Sequence, residues 1–265
     1  MFRQAFVHAS GALALLALSA ASFAAEPAPA YSFKTRTVEI TVGLDDLIKA
    51  DASLSANLLA EGRRWADKNR REAEDEKRTS PELFRGGNPW SFDRQYKTDA
   101  VVAGRYVSIS RWDYTYTGGA HPNSEVDTIL WDRQTAKRIS IRPFFNELTD
   151  GGPTLTAMRD KIIAALKAEK KERGVEDDPA MDWFKGIEPG LLKIGPVSLA
   201  PSTEAGKSSG LMFHYAPYAV GPYVEGSYDA FVPWNDLKPF VSAQGAAIFG
   251  GRRPESAKDD SAREK

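Results

Sequence analysis

The chain has 265 residues, contains no cysteine and carries a formal net charge of −1. The lack of cysteine excludes disulfides, thiol catalysis and a lipid-modified N-terminal cysteine. The nearly balanced charge gives no reason to expect a nucleic acid as partner.

The N-terminus has the pattern of a secretory signal. Arg3 precedes a short apolar run over 11–18, and small residues lie just before an expected cleavage point after Ala24. The apolar run is shorter than a membrane span needs, although a retained anchor is the alternative. We therefore expect a periplasmic or secreted protein with a signal peptide over 1–24, a lead-in over 25–32 and no membrane span after cleavage.

The first half of the chain alternates between strand-like and helix-like patterns. A two-residue alternation predicts a strand over 33–42. Apolar residues at helical spacing predict a helix that starts near Leu47 and continues into the charged segment 68–78. The mixed signs of that segment are typical of a solvated helix. Further strands are predicted over 90–98, 100–116 and 124–131.

A loop over 117–123 lies between two of these strands and is the centre of the predicted organisation. Gly118 and Gly119 permit positive φ or a close approach of the backbone. Pro122 restricts His121 to an extended conformation. We therefore expect this loop to have one defined shape.

The second half contains one helix and is otherwise rich in strands. Gly151 and Gly152 break the chain, Pro153 suits the first position of a helix, and Gly174 is a stop signal. Runs of strands interrupted by two long helices indicate an α+β fold with antiparallel sheets. The elements predicted after the helix are strands over 191–199, 211–215 and 228–232, a capping helix over 234–240 and a disordered tail over 250–265.

Two groups of motifs resemble a known family of extracytoplasmic domains. The segments 116–122 (YTGGAHP) and 131–139 (WDRQTAKRI) resemble the N-terminal unit of the PdaC-type domain, although Ala136 occupies a turn position where glycine is usual. The segments 210–218 (GLMFHYAPY) and 232–237 (VPWNDL) are similar to the RsiV-type unit that follows it. The resemblance implies two contiguous units, at 33–150 and 151–249.

This family is largely of unknown function. Members occur as the outer part of an anti-sigma factor that senses lysozyme, and as an accessory region before a polysaccharide deacetylase domain. An anti-sigma role is not expected here, since no transmembrane segment follows the signal. The resemblance implies a non-enzymatic binding or sensing domain. Its expected partner is an envelope protein, lysozyme-like, or a cell-wall glycan such as a peptidoglycan fragment.

Aromatic side chains near the loop are the main candidates for ligand binding, because their rings combine a large contact area with a polar tip. Ordinary core packing is the alternative for each ring. His121 holds the loop through backbone hydrogen bonds, contacts a ligand or takes part in catalysis. The candidate ligand-binding residues are Tyr114, Tyr116, Gly118, Gly119, His121, Asn123, Tyr215, Tyr218 and Tyr223.

The sequence offers no recognisable catalytic motif. His121 and His214 remain after removal of the signal, and they lie far apart without the His-x-x-x-His spacing of zinc ligands. We therefore expect no metal and no cofactor. A serine triad would need one of these histidines beside a serine and an acid, and no Gly-x-Ser-x-Gly elbow is present.

A carboxylate-dependent hydrolase is the alternative function. Asp113, Glu125 and Asp127 flank the loop and could act as a carboxylate pair on a cell-wall glycan. Hairpin carboxylates are more often solvated or paired with a neighbour such as Arg111. A deep cleft that joins Asp113, Asp127 and His121 would favour hydrolysis, whereas an exposed aromatic patch would favour binding.

Overall fold

The computed structural model describes residues 28–175 and 181–257. The expected signal peptide lies outside the described residues. None of the described helices combines the length and the apolar character that crossing a membrane requires.

Six strands form one sheet, in which they lie in chain order. Every neighbouring pair is antiparallel except β2 and β3, which pair in parallel because two helices cross between them. The expected α+β class with antiparallel sheets is confirmed. Among the described strands, β2 and β3 are the one parallel pair. The elements are β1 (Tyr31–Lys34), β2 (Val38–Leu44), α1 (Asp46–Lys49), α2 (Ala52–Thr79), β3 (Trp90–Val102), β4 (Tyr106–Tyr116), β5 (Asn123–Asp132) and β6 (Lys137–Ile139).

Two strand boundaries differ from the sequence prediction. The segment predicted as one strand over 33–42 is the hairpin of β1 and β2. The turn between β3 and β4 lies at Ala103 and Gly104, which have φ of 53° and 64°, and not near Asp99. Asp99 is instead the extra residue of a β-bulge between Thr98 and Ala100. An alanine at positive φ gives no turn signal in the sequence, which explains the misplaced boundary.

One face of the large sheet packs against α2. Leu54 and Leu58 of the helix are fully buried against Val42, Val107 and Ile109 of the sheet. The Asp51 carboxylate caps the helix by accepting a hydrogen bond from the Leu54 amide at 3.1 Å. The polar face of α2 stays in solvent, as its charge pattern indicated.

A second sheet and three helices make up the rest of the described chain. The predicted helix is α3, with Pro153 in its first turn and Gly174 at φ 70° just beyond its end. The strand predicted over 191–199 is limited to its last three residues, and Leu192 is 98% exposed. These elements are α3 (Pro153–Glu172), β7 (Val197–Leu199), β8 (Gly210–Tyr215), β9 (Tyr228–Pro233), α4 (Trp234–Leu237) and α5 (Ala243–Ile248), with strand order β7-β8-β9.

One hydrophobic core joins the two sheets. Val102, Tyr106 and Leu130 of the large sheet belong to the same buried cluster as Met158 of α3 and Phe213 of β8. The edge strand β7 is also tied to the large sheet, because Leu199 N donates to Ser108 Oγ at 2.8 Å and Val197 N donates to Thr128 Oγ1 at 3.1 Å. The core therefore crosses the unit boundary predicted after residue 150.

The predicted disordered tail begins as a packed segment. Gly250 N donates to Ser208 O at 2.9 Å, and Trp234 Nε1 donates to Gly251 O at 3.2 Å. The Arg253 guanidinium lies 5.7 Å from the ring centre of Phe231. The chain is therefore ordered beyond residue 250, where the sequence analysis placed the start of the tail, and residues 258–265 lie outside the described part.

Candidate functional site

A cavity of about 520 Å³ opens on the side of β4 that carries its aromatic residues. Trp112 and Tyr114 occupy alternate positions on β4, and their rings lie 6.3 Å apart at an angle of 17°. Tyr223 and Val224, which follow β8 in the chain, also line it. We call this cavity the aromatic cleft. Its other lining residues are Ser124, Pro217, Glu225, Gly226 and Ser227.

Three of the predicted site residues meet beside this cleft. The His121 ring stacks on the Tyr223 ring with centroids 3.8 Å apart, and its Nε2 lies 3.2 Å from the Tyr218 hydroxyl. Its Nδ1 lies 3.0 Å from the carbonyl oxygen of Pro122. Tyr218 has φ of 73°, a conformation that tyrosine rarely adopts. His121 thus holds its own loop and supports a wall of the aromatic cleft.

The remaining predicted loop residues lie outside the cleft lining. Gly118 has φ of 89°, which favours glycine, whereas Gly119 shows no positive φ. Asn123 is exposed at the start of β5, and Tyr116 is half-buried opposite Ser91 at the end of β4. The structure therefore gives Gly118 a conformational role and assigns none of the four a place in the cleft.

Tyr215 does not belong in the predicted set of ligand-binding residues. Its side chain belongs to the buried core, and its hydroxyl donates to the Ile194 carbonyl oxygen at 2.6 Å. Burial raises the pKa of Tyr215 well above its ordinary value. Tyr215 lies on β8, the central strand of the small sheet, whose residues are all buried. It is therefore unavailable to a ligand.

A buried ion pair fixes the wall of the cleft that comes from the second half of the chain. Lys170 near the end of α3 is almost fully buried, and its Nζ lies 2.6 Å from Glu225 Oε2. The Tyr228 hydroxyl donates to the same carboxylate oxygen at 2.6 Å. Arg173 donates to the carbonyl oxygens of Glu225 at 3.0 Å and of Ser227 at 2.9 Å. The segment that carries Tyr223 is thereby anchored to α3.

The carboxylates named for the hydrolase alternative do not converge on the cleft. Asp113 is buried and accepts two hydrogen bonds of 2.6 Å from Arg94. Asp127 lies 3.2 Å from Arg111. Asp113 also has the opposite parity on β4 from Trp112, so it lies on the other face of the sheet. Neither acid lines the aromatic cleft, and the cavity that Asp127 lines contains neither Asp113 nor His121.

A chain of hydrogen bonds that the sequence analysis missed lies along the small sheet. Ser198 Oγ on β7 lies 2.9 Å from His214 Nε2 on β8, and His214 Nδ1 lies 2.8 Å from Asp229 Oδ1 on β9. His214 and Asp229 are direct partners in the strand register. All three line a second cavity of about 310 Å³, which we call the polar cavity. The sequence placed each residue on or near a strand, but it held no signal for the strand register.

The bulge in β3 brings a further acid to the polar cavity. Asp99 accepts a hydrogen bond of 2.9 Å from Ser110 Oγ, and Ala100 belongs to the core on the same side of the sheet. The extra residue of a bulge lets two successive side chains point to one face. Burial raises the pKa of Asp99 to about 6, and the nearby His214 and the hydrogen bond from Ser110 partly offset this effect.

Metal binding receives no support from this arrangement. Within the ranges that the structure describes, no group of three or more His, Cys, Asp or Glu side chains is placed to hold a metal ion.

The fold and the two cavities define an α+β domain with a candidate binding cleft. Residues 146–235 match the family described as "Protein of unknown function (DUF3298)". The matched segment contains α3, the small sheet and Tyr223, whereas the central loop precedes it. No curated protein matches the chain.

Two solved structures of DUF3298 family proteins are similar to the chain. The protein from Pseudomonas aeruginosa PAO1 is 20% identical, with 66% of this chain and 71% of that chain covered and a TM-score of 0.41. The protein from Bacteroides fragilis NCTC 9343 is 16% identical, with 79% of this chain and 86% of that chain covered and a TM-score of 0.45.

Proposed function

We propose that the protein is an exported binding protein of the cell envelope whose aromatic cleft takes a neutral saccharide of the cell wall. The observation that carries this proposal is that three aromatic side chains, Trp112 and Tyr114 of β4 and Tyr223 from the second half of the chain, line one cavity. Aromatic rings offer apolar contact to the faces of a sugar ring, and their polar tips suit its hydroxyl groups. The size of the cleft, about 520 Å³, is in the range of small-ligand sites.

The charge of the cleft favours a neutral ligand. Glu225 is the one charged residue among the described residues that line it, and its carboxylate already binds Lys170 and Tyr228. Ser124 and Ser227 provide polar groups for the hydroxyls of a sugar. The signal-like N-terminus and the resemblance to PdaC-type and RsiV-type domains support the cell wall as the source of the ligand.

A protein partner is the second candidate, because exposed apolar surface borders the cleft. Val224 is 89% exposed and Tyr218 is 53% exposed. Exposed aromatic and apolar side chains of this kind also serve as anchors at protein interfaces. A lysozyme-like protein is therefore included in the experiment as a competing ligand.

Titration of the mature protein with uncharged oligosaccharides of N-acetylglucosamine, a sugar of the cell-wall glycan, followed by tryptophan fluorescence and calorimetry, tests the proposal. We expect saturable binding that weakens about tenfold or more in Trp112→Ala and Tyr223→Ala, since each variant removes one aromatic ring that lines the cleft. Leu192→Ala is the matched control, because it removes an exposed apolar side chain outside the cleft. Unchanged glycan affinity in both aromatic variants, or binding of lysozyme alone, would contradict the saccharide proposal.

A further inference from the structure

We propose that Ser198 is an activated nucleophile and that the polar cavity hydrolyses small carboxylic esters. In this proposal His214 is the general base, and Asp229 is a positioning residue that orients the imidazole. The inference concerns a site distinct from the aromatic cleft, although Trp112 contributes to the walls of both cavities.

The order of contacts is that of a nucleophile, a base and an orienting acid. Ser198 Oγ lies 2.9 Å from His214 Nε2, and His214 Nδ1 lies 2.8 Å from Asp229 Oδ1. Both distances are within hydrogen-bond reach, which is the geometric signature of an activated serine on any fold. The pairing of β8 with β9 holds His214 directly opposite Asp229. The acid thus fixes the ring so that Nε2 faces the serine.

The cavity beside Ser198 has room for a small acyl group. Its volume is about 310 Å³, and Trp112 and Met212 supply apolar walls next to the serine. Ser198 and His214 are both buried, at 2% and 6% exposure, so the cavity is the approach to the hydroxyl. A serine in such a setting reacts away from bulk water, where fixed donors and dipoles act more strongly.

Three enclosed polar atoms line the same cavity without a hydrogen-bond partner among the described residues. They are Thr98 Oγ1, Asp99 Oδ2 and Arg253 Nε. Buried polar atoms in folded proteins are nearly always paired, so three such atoms around one cavity indicate a ligand that offers both donors and acceptors. The Nε–H of Arg253 is a donor that can stabilise the negative oxygen of a tetrahedral intermediate.

The proposed reaction is an acyl transfer to Ser198 and then to water. Ser198 Oγ forms a bond to the carbonyl carbon of the ester while its proton passes to His214 Nε2. The carbonyl electron pair moves to the oxygen and returns as the bond to the alcohol breaks, and the alcohol leaves with the proton of His214. Water then attacks the acyl group, gives one proton to His214, and releases the carboxylic acid as Ser198 regains its proton.

Asp99 modulates this reaction through its charge. Its carboxyl group accepts a hydrogen bond from Ser110 and lines the polar cavity together with Ser198, so an ionised Asp99 adds a negative charge to the cavity in which the oxyanion forms. Like charges in an enclosed site repel each other. Asp99→Asn keeps an acceptor for Ser110 and removes the charge, and we therefore expect it to accelerate acylation of Ser198 severalfold at neutral pH.

Labelling of the wild-type mature protein with a fluorophosphonate tests the proposal without any mutation. Trypsin cleavage after Lys193 and Lys207 isolates Ser198 in one peptide, in which fragment ions distinguish it from Ser202. We expect one adduct per chain at Ser198 and none on heat-unfolded protein, because activation requires the fold. Absence of an adduct at Ser198, or equal labelling after unfolding, would overturn the proposal.

Variants separate the roles of the three residues. We expect Ser198→Ala to lose labelling and the hydrolysis of p-nitrophenyl acetate, and His214→Gln to slow both by about 10²-fold or more. Asp229→Asn should slow both, with partial rescue by Asp229→Glu, as a positioning role requires. Ser91→Ala, which changes an exposed serine of β3, is the control and should keep both the labelling and the ester hydrolysis.

Labelling of Ser198 without ester turnover would overturn the proposed hydrolase activity. Failure of the aromatic cleft to bind glycan leaves these readouts unchanged.

Discussion

The imidazole of His121 stacks on the ring of Tyr223 with centroids 3.8 Å apart, and this contact joins the central loop to the segment that follows β8. We expect His121→Ala to keep the fold and to lower the free energy of unfolding by about 1 kcal/mol. The variant should also bind saccharide more weakly, because Tyr223 loses the ring that it stacks on. A double-mutant cycle with Tyr223→Leu, followed by urea unfolding, should give a coupling free energy of about 0.5–1.5 kcal/mol. Wild-type affinity with a large loss of stability would make His121 purely structural.

Gly118 and Gly119 form a matched pair for a test of backbone strain in the central loop. Gly118 has φ of 89° and Gly119 does not have a positive φ. A Cβ at either position meets no close neighbour, so conformation alone separates them. We expect Gly118→Val to lower the unfolding free energy by about 1–2 kcal/mol and Gly119→Val to lower it by less. Thermal melts that show equal losses would contradict this assignment.

Among the charged residues near the aromatic cleft, Lys170 is the one whose neutralisation we expect to lower the stability of the fold the most. Lys170→Met leaves the buried Glu225 carboxylate without its cation, and we expect a loss of about 3–5 kcal/mol in the free energy of unfolding. Lys171→Met on the exposed side of α3 is the control, with an expected change within about 0.5 kcal/mol. The double variant Lys170→Met with Glu225→Gln should recover part of the loss. Equal stability of the two single variants in urea would refute the prediction.

Asp99 is expected to make stability fall as pH rises. Burial raises the pKa of Asp99 from 3.8 to about 6, so the folded chain binds this proton more tightly than the unfolded chain does. The stabilisation is complete below the unfolded pKa and is lost as pH rises through about 6. Asp99→Asn removes this titration. Between about pH 4 and pH 7, the free energy of unfolding of the variant should therefore rise relative to that of the wild type by up to about 3 kcal/mol.

Urea unfolding of both proteins at several pH values across that range measures the difference directly. The groups that face Asp99, namely His214, Asp229 and the serines Ser110 and Ser198, are present in both proteins. A difference that stays constant with pH would contradict the raised pKa.

Local patterns in the sequence were sufficient for much of the fold. Alternation located β4 and β5 with the loop over 117–123, and Pro153 with Gly174 marked the ends of α3. These signals depend on residues a few positions apart, which the sequence contains directly. The parallel pairing of β2 with β3 depends on a long-range crossover, and no residue type marks it.

The candidate site was predictable only in part, for the same reason. The sequence analysis named His121 and Tyr223 as candidate residues, but their stacking depends on packing between the two halves of the chain. Tyr215 was a candidate because aromatic rings suit ligand binding, with core packing as the alternative, and the structure buries it on β8. The contact of Ser198 with His214 follows from strand register, which a single sequence does not specify.

The matched segment 146–235 does not contain the whole of the hydrophobic core to which it belongs. Its buried cluster is completed by Val102, Tyr106 and Leu130 before it and by Phe249 after it. A gene fragment limited to 146–235 would expose this apolar surface and yield an aggregation-prone polypeptide. The large sheet therefore has to be present for the apolar surface of this segment to be covered.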